Sequence, residues 1–358
     1  MCAYPIQMKN KILVLNIDTV KNKNHYQFNA MGKFGFEYVI FAYAPDISIS
    51  DSKAYQYNVY QRSLLRRMKD IFCYVFRNHK SIHHIELYTG SGGFLFFEFV
   101  IGKLFGIPIC VVERGSPLKD IDSHYGWFGS FVRKLIFRRA DYVWIRELWM
   151  KESLEKIGRK EYFFLANCVE IPEKYSNNAK KENEFLWCNS LKKWRNSDWF
   201  VDALRNRILT EKKSVLIGFL RNNKTVDCQQ DYIVKNKPAN LEIYPFMDPK
   251  KCFLKSKFFI LPADIVFLNF ALLEAMSYGV VPIVSDVQGA REIVDDGVDG
   301  FVVAHNKKSL EQAMVDASKI SDEKYELLSK NAREKVIRKF SIESWSVCLN
   351  EFYKEIGK

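Results

Sequence analysis

No two cysteines of this sequence are spaced C-x-x-C, and its eight cysteines form no metal-like cluster with its six histidines. That excludes the usual thiolate and imidazole metal frameworks and leaves scattered thiols, the state expected of a chain in a reducing cytoplasm. No apolar run approaches the about 20 residues of a membrane-spanning helix. The most apolar stretch, Phe94 to Phe105, is interrupted by Glu98 and Lys103, so any membrane contact is expected to be peripheral. A secretory leader is not expected either. Lys9 and Lys11 directly precede the short strand-like run Ile12 to Ile17, and residues 1–7 read as an extension ahead of the folded pattern. No RNA-binding signature accompanies the basic residues, so no nucleic-acid partner is expected.

The sequence has 358 residues, 48% of them hydrophobic and 15% aromatic, which suits a folded chain with two cores. Its formal net charge is +12. The excess is uneven: residues 1–172 hold 24 Lys and Arg against 16 Asp and Glu. A basic N-terminal half points to an anionic partner, a phosphate or a phospholipid surface, or else serves solubility alone.

Strand-like runs at Ile12–Ile17, Tyr38–Tyr43, Ile85–Tyr88, Ile107–Val112, Tyr142–Ile145 and Tyr162–Leu165 alternate with helical patterns around 25–34, 60–78, 92–105, 127–138 and 147–157. Such alternation predicts a doubly wound parallel sheet. The polar segment Glu173 to Glu184 reads as a linker, after which the pattern restarts. The expected division is an N-terminal Rossmann-like domain over 1–172, a linker over 173–184, and a C-terminal Rossmann-like domain over 185–340. A final helix over 341–358, capped at Ser341, is expected to pack back towards the N-terminal domain.

Residues 258–303 are the most informative segment. Strand Phe258–Leu261 ends at Pro262, an apolar helix Phe270–Tyr278 carries the isolated acid Glu274 and stops at Gly279, and strand Val280–Val284 leads through Gly289 to Arg291-Glu292-Ile293-Val294. Leu272-Leu273-Glu274-Ala275-Met276, Gly279, Val281-Pro282, Ser285-Asp286, Gly289, Glu292-Ile293-Val294, Gly297 and Gly300 resemble, in order and spacing, the C-terminal half of the retaining glycosyltransferases of the large bacterial family 4. Asn331-Ala332-Arg333 and Phe340-Ser341 resemble that family's closing helices. The resemblance implies an α/β protein of the GT-B fold, with two Rossmann-like domains facing each other across a cleft. It also implies transfer of a sugar from a UDP- or GDP-linked donor, with retention and with no bound metal or cofactor.

The resemblance assigns roles residue by residue. Glu274 matches the second Glu of the family's E-x7-E element, which holds the nucleotide ribose; two carboxylate oxygens suit two ribose hydroxyls. The first Glu of that element is Val266 here, and Asp264 is the nearest acid to stand in for it. Arg195 occupies the position of the family's diphosphate-binding Lys, and a guanidinium suits phosphate oxygens. The family's Arg is Ser190 here, with Lys192 as its possible replacement, although the run Lys192 to Arg195 reads equally as a solvated basic turn. Asn269 and Phe270 open the helix that faces the diphosphate, and Gly289 and Glu292 belong to the donor loop.

In the N-terminal domain Glu113-Arg114-Gly115 follows a strand and resembles a family variant in which Arg114 contacts the donor and Glu113 holds Arg114. A structural ion pair is the alternative. Arg62, Arg66, Arg67, Lys69 and Arg77, and then Arg133, Lys134, Arg138 and Arg139, are interleaved with aromatic and aliphatic residues. They form either two basic amphipathic helices for an anionic bilayer surface or two ordinary surface helices. The expected acceptor is a glycan or lipid-linked intermediate of bacterial surface polysaccharide, met on the cytoplasmic face of the inner membrane. A catalytically silent GT-B scaffold and a GT-B sugar epimerase stay open as rivals.

Overall fold

The computed structural model describes residues 9–19, 22–44, 55–59, 63–89, 94–113, 126–173, 175, 181–219, 229–267 and 269–356. The chain divides into two compact units, Met1–Ala166 with Trp345–Lys358, and Asn167–Ser344.

The first unit is built on a seven-stranded parallel sheet in the order β3-β2-β1-β4-β5-β6-β7. Its strands are β1 (Lys11–Thr19), β2 (Glu37–Ala44), β3 (Tyr55–Val59), β4 (Ile82–Tyr88), β5 (Ile109–Glu113), β6 (Tyr142–Ile145) and β7 (Phe163–Phe164). Strands such as Leu13–Leu15 and Cys110–Val112 are buried on both faces, which explains their unbroken apolar runs. Helices α1 (Asn22–Gly32), α2 (Leu64–Asn78), α3 (Leu95–Leu104), α4 (Gly126–Arg139) and α5 (Met150–Lys156) connect them. The sheet packs on Ile71 and Val75 of α2, Leu95 and Phe99 of α3, and Ile136 and Phe137 of α4. Strand β3 lies among residues for which no element was expected. Its sequence, YQYNV, alternates too weakly to announce itself and pairs at the sheet edge.

The second unit has a six-stranded parallel sheet in the order β10-β9-β8-β11-β12-β13. Its strands are β8 (Asn183–Cys188), β9 (Ser214–Phe219), β10 (Leu241–Pro245), β11 (Ser256–Leu261), β12 (Val281–Ser285) and β13 (Phe301–Val303). A 3-10 turn over Lys193–Arg195 precedes α6 (Ser197–Ala203), and α7 (Gln230–Asn236), α8 (Lys250–Lys255), α9 (Phe270–Ser277), α10 (Ala290–Ile293), α11 (Lys307–Ala317) and α12 (Asp322–Phe340) follow. Strand order reverses between β8 and β11, so a crevice is expected at their carboxyl ends.

Several motif residues of 258–303 prove to be architectural. Helix α9 ends at Gly279 (φ +75), where Gly279 N–H bonds the Met276 carbonyl at 2.9 Å and Val280 N–H the Ala275 carbonyl at 3.0 Å. This is a Schellman stop that needs a left-handed residue. A Cβ on Gly300 would meet Pro282 at 2.5 Å, so the glycine lets β13 lie against β12. Arg333 of α12 bonds the Ser277 and Pro172 carbonyls and stacks on Tyr175 at 3.5 Å, tying the end of α9 to the segment ahead of β8.

The break between units falls after Ala166, not in the polar stretch 173–184. Val169 bridges Ser341, and its N–H bonds the Phe340 carbonyl at 2.8 Å, so the segment before the polar run is already part of the second unit. The last helix, α13 (Ile342–Glu355), starts in the second unit, with Ser341 Oγ capping Ser344 N–H at 3.2 Å, and continues in the first. There Tyr353 donates to the buried Glu86 carboxylate and pairs with the Tyr38 hydroxyl at 2.7 Å, while Tyr88 donates to Glu86 at 3.1 Å.

Candidate functional site

In the second unit the loops after β8 and β11 are stitched together. Asp264 N–H bonds the Trp194 carbonyl at 2.8 Å, and Asn196 Nδ2 donates to the Pro262 carbonyl at 2.8 Å and to Asp264 Oδ1 at 2.6 Å. Asn196 takes a left-handed conformation (φ +54), for which asparagine is better suited than most residues. The loop after β12 joins through Val266 N–H to the Gln288 carbonyl at 3.0 Å.

Asn189, just past β8, is the hub of this end. Its Oδ1 accepts from Arg195 Nη1 at 2.6 Å and from Asn269 Nδ2 at 3.1 Å. Asn269 in turn caps α9 by accepting Leu272 N–H at 3.2 Å. The hub also dictates the neighbouring strand: a Cβ on Gly218 (φ +139) would lie 1.9 Å from the Asn189 carbonyl oxygen, so only glycine lets β9 pass there. Arg195 lies over the Trp194 ring at 4.3 Å, and Trp194 meets Phe267 edge-on at 5.9 Å. Burial lowers the Arg195 pKa to about 10, which leaves the group cationic at neutral pH. Among the described residues, Arg195 Nε and Asn189 Nδ2 are buried donors with no acceptor. Glu274, half-buried on α9, borders the same cluster. The Cys188 thiol is pushed up to about 12, first by burial and then by the Glu274 charge.

The structure thus links Arg195 through Asn189 to Asn269, the cap of α9, on which Phe270 is the first residue and Glu274 lies one turn further on. Ser190 is half-buried in the loop and Lys192 is exposed ahead of the 3-10 turn. Gly289 (φ +90) opens the short α10, on which Glu292 is half-buried. Val266 is buried. Asp264 is engaged elsewhere, since its Oδ1 also lies 3.2 Å from His305 Nε2, a ring packed on Trp199 at 4.9 Å. The Asn196–Asp264–His305 link was not foreseen. Asn196 and Asp264 lie 68 positions apart, Asp264 and His305 are also distant in sequence, and only the sheet brings them together.

At the carboxyl end of the first unit's sheet, Glu113 is buried and accepts from Thr89 Oγ1 at 2.9 Å. Arg114 and glycines 90, 92 and 93 lie outside the described residues. Arg133 corrects an expectation. It was grouped with a solvent-facing basic stripe, yet it is only 4% exposed and its Nη2 donates to the Thr89 carbonyl at 2.9 Å. Asn16, in a bulge of β1 with φ +58, reaches the Tyr88 carbonyl at 2.9 Å across the switch between β1 and β4.

Residues 182–319 match the family model Glycosyl transferases group 1. Over 309 residues the chain is 25% identical to the UDP-Gal:alpha-D-GlcNAc-diphosphoundecaprenol alpha-1,3-galactosyltransferase of Escherichia coli, covering 78% of this chain and 77% of that protein. Sucrose-phosphate synthase from Thermosynechococcus elongatus superposes with a TM-score of 0.74 at 14% identity, covering 97% of this chain and 98% of its own. Anabaena Alr3699/HepE in complex with UDP-glucose gives 0.74 at 14% identity, with coverage of 96% and 99%. Residues 182–319 are thus similar to glycosyl transferases group 1, and the whole chain has the two Rossmann-like domains of the GT-B fold.

Proposed function

We propose that this chain is a retaining glycosyltransferase that moves a sugar from a nucleotide diphosphate donor to a lipid-linked glycan of bacterial surface polysaccharide, peripherally at the cytoplasmic face of the inner membrane. The observation that carries the donor half is the cluster of Arg195, Asn189, Asn269 and Glu274 around the start of α9. It holds a fixed cation, buried donors short of acceptors, a helix N-terminus and one carboxylate. A diphosphate supplies the missing acceptors and a ribose supplies hydroxyls for Glu274. The Escherichia coli relative, whose name gives a UDP-sugar donor and a diphosphoundecaprenol acceptor, supports the acceptor half.

The chemistry follows from charge. As the glycosidic bond breaks, negative charge grows on the departing diphosphate, and Arg195 with the α9 N–H groups opposes it without reorganising. This reading gives the developing charge a protein partner, and transfer is therefore proposed to need no divalent ion. In the first unit Glu113, fixed by Thr89 at a strand end, is proposed to hold Arg114, as the resemblance implies.

The deciding experiment is transfer to a lipid-linked acceptor from a panel of UDP-, GDP- and ADP-sugars in EDTA, for wild type and Glu274→Ala. One donor class should react, and the variant should lose roughly 10- to 100-fold in kcat/KM, as expected for two lost ribose hydrogen bonds. Equal rates for both proteins would remove Glu274 from the donor site.

A further inference from the structure

We infer that the outer face of helices α2, α3 and α4 is a single docking surface for an anionic lipid bilayer. Helix α2 packs beside α3, and α3 beside α4. Each turns its buried stripe to the sheet and leaves a second apolar stripe in water. On α2 this is Leu65, Phe72 and Phe76, on α3 Phe96, Val100 and Leu104, and on α4 Trp127, Phe128 and Phe131. Trp127 is 83% exposed, Leu65 76% and Leu104 70%, values without parallel among the large apolar residues of the second unit except Phe246. Phe72 and Phe76 also meet the Phe105 ring at 5.9 and 6.3 Å, so the stripes of α2 and α3 join.

Charge selects the occupant. Arg66, Lys69, Arg77 and Arg139 are exposed on the same three helices, where Asp70 is the exposed acid, while Lys103 is paired with Asp141 and Arg138 donates to the Ile157 carbonyl. A cationic surface with aromatic residues suits anionic headgroups over an acyl boundary, whereas a protein partner of ordinary polarity would leave the cations unmatched. None of the described helices is long and apolar enough to cross a membrane, which makes the contact interfacial. In a parallel sheet each crossover helix begins at the carboxyl edge and ends at the amino edge, so the exposed stripe runs from Leu65, Phe96 and Trp127 at one edge to Phe76, Leu104, Arg77 and Arg139 at the other, and the three helices lie flat on the bilayer. The sequence marked two of these helices as basic and amphipathic; the structure adds α3 as the bridge and removes Arg133, which points inward.

This inference deepens the lipid-linked acceptor reading but fails separately from it. Purified full-length protein is floated with phosphatidylcholine vesicles and with vesicles that also contain phosphatidylglycerol, while UDP and GDP binding is measured by calorimetry. Wild type should float with the anionic vesicles only and be released by salt. Trp127→Ser/Phe128→Ser/Phe131→Ser and Arg66→Glu/Lys69→Glu should each lower the floated fraction about 10-fold with nucleotide binding and thermal melting unchanged. Wild type that stays behind with anionic vesicles, or variants that float equally well, overturns the docking surface. So does a stable dimer that the aromatic variant dissociates without altering flotation. Loss of nucleotide binding by wild type would strike the donor reading instead and leave the flotation result standing.

Discussion

Arg195 is held from two directions, by Asn189 on its edge and Trp194 on its face, and this fixes where its charge sits. A lysine there keeps the charge but loses the planar fork and the ring contact. Arg195→Lys should raise the donor KM about 10-fold, equivalent to roughly 1.4 kcal/mol, with a further fall in kcat for Arg195→Ala. A lysine variant with wild-type kinetics would show that a point charge suffices. At this scale the legible residues were those whose neighbours in sequence announce them. Glu274 stands alone in an apolar helix, and Asn269 stands where a cap belongs. Arg133 was misplaced because a basic residue in a basic helix looks solvated until the Thr89 carbonyl is brought to it. The contacts of Asp264 with Asn196 and His305 are not legible in sequence because both reach it only through the fold.

At the scale of elements, strand β4 carries a pH dependence. His84 is fully buried, its ring packed on Tyr353 at 4.6 Å and its Nδ1 2.8 Å from that of His83. Burial first, and the neighbouring His83 second, hold its pKa well below the ordinary histidine value, and His83 shifts the same way through burial and Lys9. The native state therefore declines a proton that the unfolded chain accepts below about pH 6.5. The stability these rings contribute is intact above that value and declines as pH falls below it, by up to about 1.4 kcal/mol per pH unit for each ring, until the folded pKa is passed. Urea midpoints measured from about pH 8 to about pH 5 should fall for wild type and flatten for His84→Phe. Parallel curves would assign the acid sensitivity elsewhere. Elements with strong periodicity, such as α9 or β11 and β12, were readable from sequence. Strand β3 and helix α7 were not, because a short edge element gains most of its stability from its neighbour.

At the scale of the molecule, the chain closes on its own beginning. Tyr353 and Tyr38 lie 315 positions apart, yet their hydroxyls meet at 2.7 Å beside the buried Glu86. Tyr353→Phe would strip a donor from a buried carboxylate, and the cost should be about 1–3 kcal/mol in chemical denaturation of the full chain. An unchanged midpoint would mean that packing alone secures α13. Phe352 stacks on Phe163 at 3.9 Å in the same region and supplies the apolar part of that contact.

The parallel α/β class, the restart of the pattern after residue 180 and the cap and glycine stop of α9 were written locally, in apolar period, caps and glycine stops, and so the sequence by itself determined them. Tertiary structure alone decided that Asn189 would be the hub of the cluster at the start of α9, that Asp264 would be bound to His305, that Arg133 would turn inward and that three helices would share one apolar, basic face. Those outcomes depend on strand order and on which loops meet at the carboxyl ends of the sheets. Contacts between residues dozens to hundreds of positions apart leave no trace in the local period of either partner.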